Sequence, residues 1–131
     1  MPIVYIATKF ERKAEAAALA AQLAERGYVF AHDWTKHEKV PFDYVQGHGV
    51  AAGQAAFDLA GAAGCDAFVL LTDAGGLGCW VELGAALAHY QSYGKPRVYV
   101  VGPYAERTIF CYHPAVQRVA TIEGLLTEGY L

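Results

Sequence analysis

The run Ala67-Phe-Val-Leu-Leu-Thr72 has no polar side chain until its last position. A strand so apolar on both faces needs cover on both sides, which is the signature of a central strand in a parallel sheet. Shorter apolar runs occur at Ile3–Ala7, Tyr28–Ala31 and Arg97–Val101, and Ala115–Ala120 is a candidate for a short last strand. Between them lie stretches with helical spacing. Glu11–Arg26 carries a stripe of Ala16, Leu19, Ala20 and Leu23, with Gly27 placed to cap it. Val50–Ala63 closes at Gly64, Cys79–Tyr93 ends at Gly94-Lys95-Pro96, and Ile122–Thr127 forms a last helical turn. Strand and helix in alternation predict an α/β fold: a flavodoxin-like three-layer sandwich whose parallel sheet has about five strands. Ile3–Ala7 and Ala67–Thr72 are expected side by side at its centre. The polar stretch His32–Gly49, with Pro41, Gly47 and Gly49, reads as a long loop of the kind that often serves function.

At 131 residues the chain is of single-domain size, and 1–131 is read as one domain. Hydrophobic residues make up 55% and charged ones 18%, which argues against disorder. Ten basic against thirteen acidic residues give a net charge of −3. Tyr and Trp are plentiful, but without interleaved Lys and Arg they make no nucleic-acid platform. No apolar run has the ~20 residues that a membrane span needs. The N-terminal Met-Pro-Ile-Val-Tyr-Ile lacks the basic start of a signal peptide. Cys65, Cys79 and Cys111 are too few for a disulfide scaffold and contain no Cys-x-x-Cys pair. These features fit a cytoplasmic domain without a membrane or nucleic-acid partner, and no metal or other cofactor is expected.

In open α/β sheets ligands bind beyond the carboxyl ends of the strands. That rule ranks the polar residues. Thr8, Lys9, Phe10, His32, Asp33, Trp34 and the turn from Asp73 to Gly78 fall on this edge. Asp66 precedes its strand and belongs to the opposite edge, roughly 20 Å away at about 3.3 Å per residue. Asp58 sits on a helix that runs back toward the ligand edge, where it faces either solvent or the pocket. Glu82 occurs in Gly78-Cys-Trp-Val-Glu-Leu-Gly-Ala-Ala-Leu87, among small and apolar neighbours. It is placed in the first turn of its helix, where the dipole favours an ionised carboxylate able to act as nucleophile or general base. The plain alternative is a glutamate that only complements the dipole. Gly75, Gly76 and Gly78 match neither the P-loop nor the dinucleotide fingerprint. Cys79 near a helix start points to a lowered thiol pKa, but no base stands near it in the sequence. The five histidines lack metal spacing and are read as structural or surface residues.

Taken together, these stretches resemble the nucleoside 2-deoxyribosyltransferase superfamily, which includes the 2′-deoxynucleoside 5′-monophosphate N-glycosidases. The likeness lies in Ile3-Val-Tyr-Ile-Ala-Thr-Lys-Phe10, in Asp58-Leu59 followed by Asp66, in Gly78 to Leu87, and in Gly94-Lys95-Pro96 before a Val-rich strand. The resemblance implies that Glu82 attacks the anomeric carbon of a nucleoside or nucleotide to give a covalent glycosyl-enzyme, as retaining glycosidases do. It implies that Asp58 orients base or sugar and assists the departing base, and that Tyr5 packs near the glutamate and positions it. Substrate-binding residues are expected at Thr8, Lys9, Phe10, Asp73, Gly76, Gly78 and Trp80. The chain departs from the pattern at Gly76, where transferases tend to have Asp and N-glycosidases Ser, and at Trp80, where both have Gly. Trp80 is expected either to narrow the pocket or to stack on a base.

Two other readings compete. Cys79-Trp80 before a glutamate loosely resembles the Toll/interleukin-receptor-like NAD glycohydrolases, with the two residues in reversed order. A non-catalytic nucleotide-sensing module is the other, although sensing does not require both acids. Helices rich in Ala and Gly, with Tyr90 and Tyr93 taken as exposed, point to a homodimer or larger assembly.

Overall fold

The computed structural model describes residues 1–38 and 47–131. Most of the expected loop between His32 and Gly49 lies outside the described residues. Four strands, β1 (Val4–Ala7), β2 (Ala67–Leu71), β3 (Arg97–Val101) and β4 (Val116–Val119), form one sheet in the order β1-β2-β3-β4. Every pairing is parallel, with Tyr5 beside Phe68 and Leu70 beside Val100. The helices are α1 (Lys13–Ala24), α2 (His48–Gly64), α3 (Gly78–Tyr93) and α4 (Ile122–Thr127). The architecture is the expected flavodoxin-like α/β sandwich, with β1 and β2 adjacent. However, β1 is the edge strand of the sheet and not a central one as expected, because only a single bridge forms on its outer side.

The strand expected at Tyr28–Ala31 is reduced to one parallel bridge, Val29 to Ile3, on the outer side of β1. Two bonds hold it, Val29 N–H to the Pro2 carbonyl and Val4 N–H to the Val29 carbonyl, both 2.9 Å. Further along the same flank a side chain takes the place of a strand. The indole N–H of Trp34 donates to the Ile6 carbonyl at 2.5 Å and so satisfies an acceptor that a longer ladder would have used. The sheet therefore has four strands where about five were expected.

All residues of β1 and β2 are buried, and with Leu19 and Leu23 of α1 and Leu83 and Leu87 of α3 they form the core. Gly94 ends α3 in the left-handed conformation at φ 76°, with its N–H bonded to the Tyr90 carbonyl at 2.7 Å; a side chain would be strained there. At the far edge Asp66 accepts the Ile3 N–H at 2.7 Å and pairs with Lys95 at 3.5 Å. It closes the bottom of the sheet, as its place before β2 predicted.

Leu70 lies fully buried at the sheet centre. Leu70→Ala is expected to cost about 2–5 kcal/mol of stability, read as a lower denaturation midpoint with an unchanged m-value.

Candidate active site

The carboxyl ends of β1 and β2 are tied together by Thr8, whose hydroxyl donates to the Leu71 carbonyl at 2.8 Å. Above this tie, β1, α2 and α3 enclose a cleft of about 600 Å³. Thr8, Lys9 and Phe10 line it from the exit of β1, and Gly76 and Gly78 from the turn before α3. Asp58 enters from α2 and Glu82 from α3. Trp34 closes one wall.

Inside the cleft the Tyr5 hydroxyl donates a short hydrogen bond to Glu82 Oε2. The pleat of β1 aims Tyr5 toward α2 and α3, and its ring stacks parallel to Phe68 at a centroid distance of 6.0 Å. Glu82 is the fifth residue of α3, so it lies past the first turn, where the dipole is strongest. Burial governs it instead. Withdrawal from water pushes its carboxyl up to about 8; the Tyr5 hydroxyl pulls the other way, and Asp58 adds a smaller upward push. The expected bias toward the ionised form is thus reversed in the free protein. The Tyr5 phenol is in turn raised, by burial first and then by Glu82.

Asp58 is also raised by burial, an effect opposed by His37, the Tyr5 hydroxyl and His32. Its Oδ1 is buried and has no hydrogen-bond partner, and the same holds for His37 Nδ1. The rings of His32 and His37 each lie 4.9 Å from that of Phe57, the residue before Asp58. Two histidines read as structural therefore stand around the carboxylate. An unsatisfied buried acceptor costs free energy that a bound donor recovers.

Two expected substrate contacts are absent from the lining. Trp80 is two residues from Glu82, about 200° around the helix, and packs half-buried against the core. Asp73 serves its own turn: Oδ1 accepts the Gly75 N–H at 3.0 Å, and Oδ2 lies 3.8 Å from Arg12. Arg12 also donates to the Thr72 carbonyl, and Arg107 to the Ala74 carbonyl at 2.7 Å. These two arginines clamp the glycine turn from either side. Gly76 adopts φ 79°, and a Cβ there would approach Lys9 Cβ to 3.2 Å. Cys79 likewise departs from expectation. Burial and nearby Glu82 push its thiol up to about 11, and its Sγ contacts the Gly76 carbonyl at 3.2 Å.

The lining also contains Ala51, Gln54 and Ala55. They stand seven, four and three residues before Asp58, the spacing of one helix face. That period is visible in the sequence once Asp58 is taken as facing the cleft. His37 has no comparable signal, because a loop carries no fixed period.

The raised Glu82 pKa has a consequence for stability. The native carboxyl keeps its proton well above its ordinary value of 4.5. Its contribution to stability is therefore complete below about 4.5 and is lost as pH rises through about 8. Glu82→Gln, which cannot ionise, is expected to remove that decline. Denaturation midpoints of both proteins between pH 4.5 and 9 check this, and parallel curves would refute it.

Comparison with known proteins assigns no family: no family model, curated protein or solved structure matches the chain.

Proposed function

We propose that the chain cleaves or transfers the N-glycosidic bond of a nucleoside or nucleotide through a covalent glycosyl-glutamate at Glu82. The observation that carries this reading is the Tyr5 hydroxyl on the Glu82 carboxylate, with Asp58 beside it in the same cleft. The resemblance in Ile3–Phe10, Asp58-Leu59 and Gly78–Leu87 supports it from the sequence.

The chemistry follows from the pair. Tyr5 holds Oε2 and favours the ionised carboxylate, leaving Oε1 to attack the anomeric carbon. As the carbon–oxygen bond forms, the bond to the base nitrogen breaks and its electron pair leaves with the base. Asp58, whose carboxyl is raised by burial, supplies the proton that the departing nitrogen takes up. Water, or the nitrogen of a second base, then attacks the same carbon, gives its proton to the Asp58 carboxylate and frees Glu82. Water gives hydrolysis, and a second base gives transfer. Glycines at 76 and 78 let a sugar approach the turn, and the Phe10 and Trp34 rings, 6.1 Å apart, offer apolar cover.

Incubation with deoxynucleosides, deoxynucleoside monophosphates and NAD, followed by chromatography for free base, tests the reading and separates it from the NAD-directed and sensing alternatives. Glu82→Ala is expected to abolish base release, a loss of at least about a thousandfold for a missing nucleophile. Asp58→Asn is expected to slow release while a fluorinated sugar analogue still forms an adduct on Glu82. Because Asp58 must still hold its proton when Glu82 is ionised, the rate below saturation should fall as pH rises past about 8, where the pair loses its last proton. An adduct on another residue, or undiminished release by Glu82→Ala, would overturn the proposal.

The proposed assembly is a homodimer through α2 and α3. Val50, Val81 and Leu77 are 57%, 62% and 87% exposed there, and the space beside Gly49, Gly53 and Gly84 is open. Tyr93 is exposed as expected, whereas Tyr90 is half-buried with its ring edge-on to His113 at 6.0 Å. Light scattering at micromolar concentration should give twice the monomer mass; a monomer refutes this. A cytoplasmic location is part of the same proposal. The free, buried thiols of Cys65, Cys79 and Cys111 suit a reducing compartment. Among the described residues no helix is long and apolar enough to cross a membrane.

A further inference from the structure

Tyr5 reaches Glu82 past a point where α2 has no side chain. A Cβ added to Gly61 would lie 2.6 Å from His32 Cβ and 2.7 Å from both Cδ2 and Cε2 of the Tyr5 ring. Carbon atoms in contact normally stay about 3.5–4.0 Å apart. The ring can yield only by shifting against its own neighbours. It is 1% exposed, stacked on Phe68, and met by the edge of Phe30 at 5.8 Å and 84°. Gly49, Gly53 and Gly64 of the same helix have nothing within 4 Å of such a Cβ. Glycine weakens a helix interior, and only at Gly61 does the packing of α2 demand it. Gly61 also follows Asp58 by three residues, which places both on one face of α2.

We propose that Gly61 is a positioning residue for the acidic pair: its missing side chain sets how closely α2 approaches Tyr5, and so keeps the hydroxyl on Glu82 with Asp58 alongside. The inference rests on the reading of Tyr5, Asp58 and Glu82 as the reacting groups, but its test requires no turnover. A methyl at this point displaces the ring from α2, and the hydroxyl leaves the carboxylate.

The test is a carbon-13 carboxyl titration of the full chain by NMR. Two groups from other elements face Glu82, Tyr5 from β1 and Asp58 from α2, and the hydroxyl has the larger effect. Loss of the hydroxyl contact in Gly61→Ala should therefore raise the Glu82 midpoint, by on the order of one unit. Tyr5→Phe should produce the same rise, and the double variant no more than either alone. Gly64→Ala, an added methyl in open space on the same helix, should leave the midpoint unchanged. A wild-type midpoint in Gly61→Ala, or shifts that add in the double variant, overturns the proposal. If Gly61→Ala does not fold, His32→Gly/Gly61→Ala leaves the Tyr5 ring as the remaining obstacle and should show the same rise. Failure of that chain to fold also overturns the proposal, because Gly61 would then serve packing in general. Base release in the same variants keeps the two readings apart: the expected titration in a chain that never releases base retains the role of Gly61 and removes the proposed function.

Discussion

A carboxylate largely withdrawn from water is stable only if something nearby meets its charge or a proton removes it. Glu82 has both: a donor in Tyr5 and a pKa moved up by burial. Much of the structure supports that arrangement. Phe68 and Phe30 hold the Tyr5 ring, and Gly61 lets α2 come down on it. A second acid, Asp58, enters the same low-dielectric space and keeps the proton count of the pair delicate.

The surrounding framework is built from contacts that leave the cleft alone. Arg12 donates to the Glu15 carboxylate and the Thr72 carbonyl, Arg107 donates to the carbonyls of residues 73 and 74, and Asp73 turns back on its own loop. Among the lining residues this leaves Lys9 as the cationic side chain at the glycine turn, with its Nζ 3.3 Å from where a Gly75 Cβ would stand. The division is economical in residues: the arginines and Asp73 fix the loop, while Asp58 and Glu82 line the cleft, half-buried.

How much of this was legible in the sequence depended on how local each signal was. β2 was readable because its double-sided apolarity admits one environment. β3 and α4 matched their expected bounds, since Gly94-Lys95-Pro96 and Thr121 mark them, the latter by accepting the Gly124 N–H at 3.0 Å. The strand at Tyr28–Ala31 was over-read, because its apolar run does not show that only Val29 pairs, in a single bridge to Ile3. Glu82 was found as a residue, but its charge state was misjudged: helix position is a sequence property, whereas burial is set by α2 and β1. Trp80 was assigned to the pocket from its neighbourhood in the chain, although the helical twist carries it to another face. The bond between Tyr5 and Glu82 spans 77 residues, and only the resemblance pointed to it.

The Trp34 indole has one more effect. The outer flank of β1 is the kind of exposed backbone row on which a foreign strand can template itself. A bulky ring anchored across that row leaves little continuous ladder for an intruding chain to follow. The residue that forms one wall of the cleft thus also guards the sheet against edge-to-edge aggregation, and a change made there to widen the pocket would put solubility at risk along with specificity.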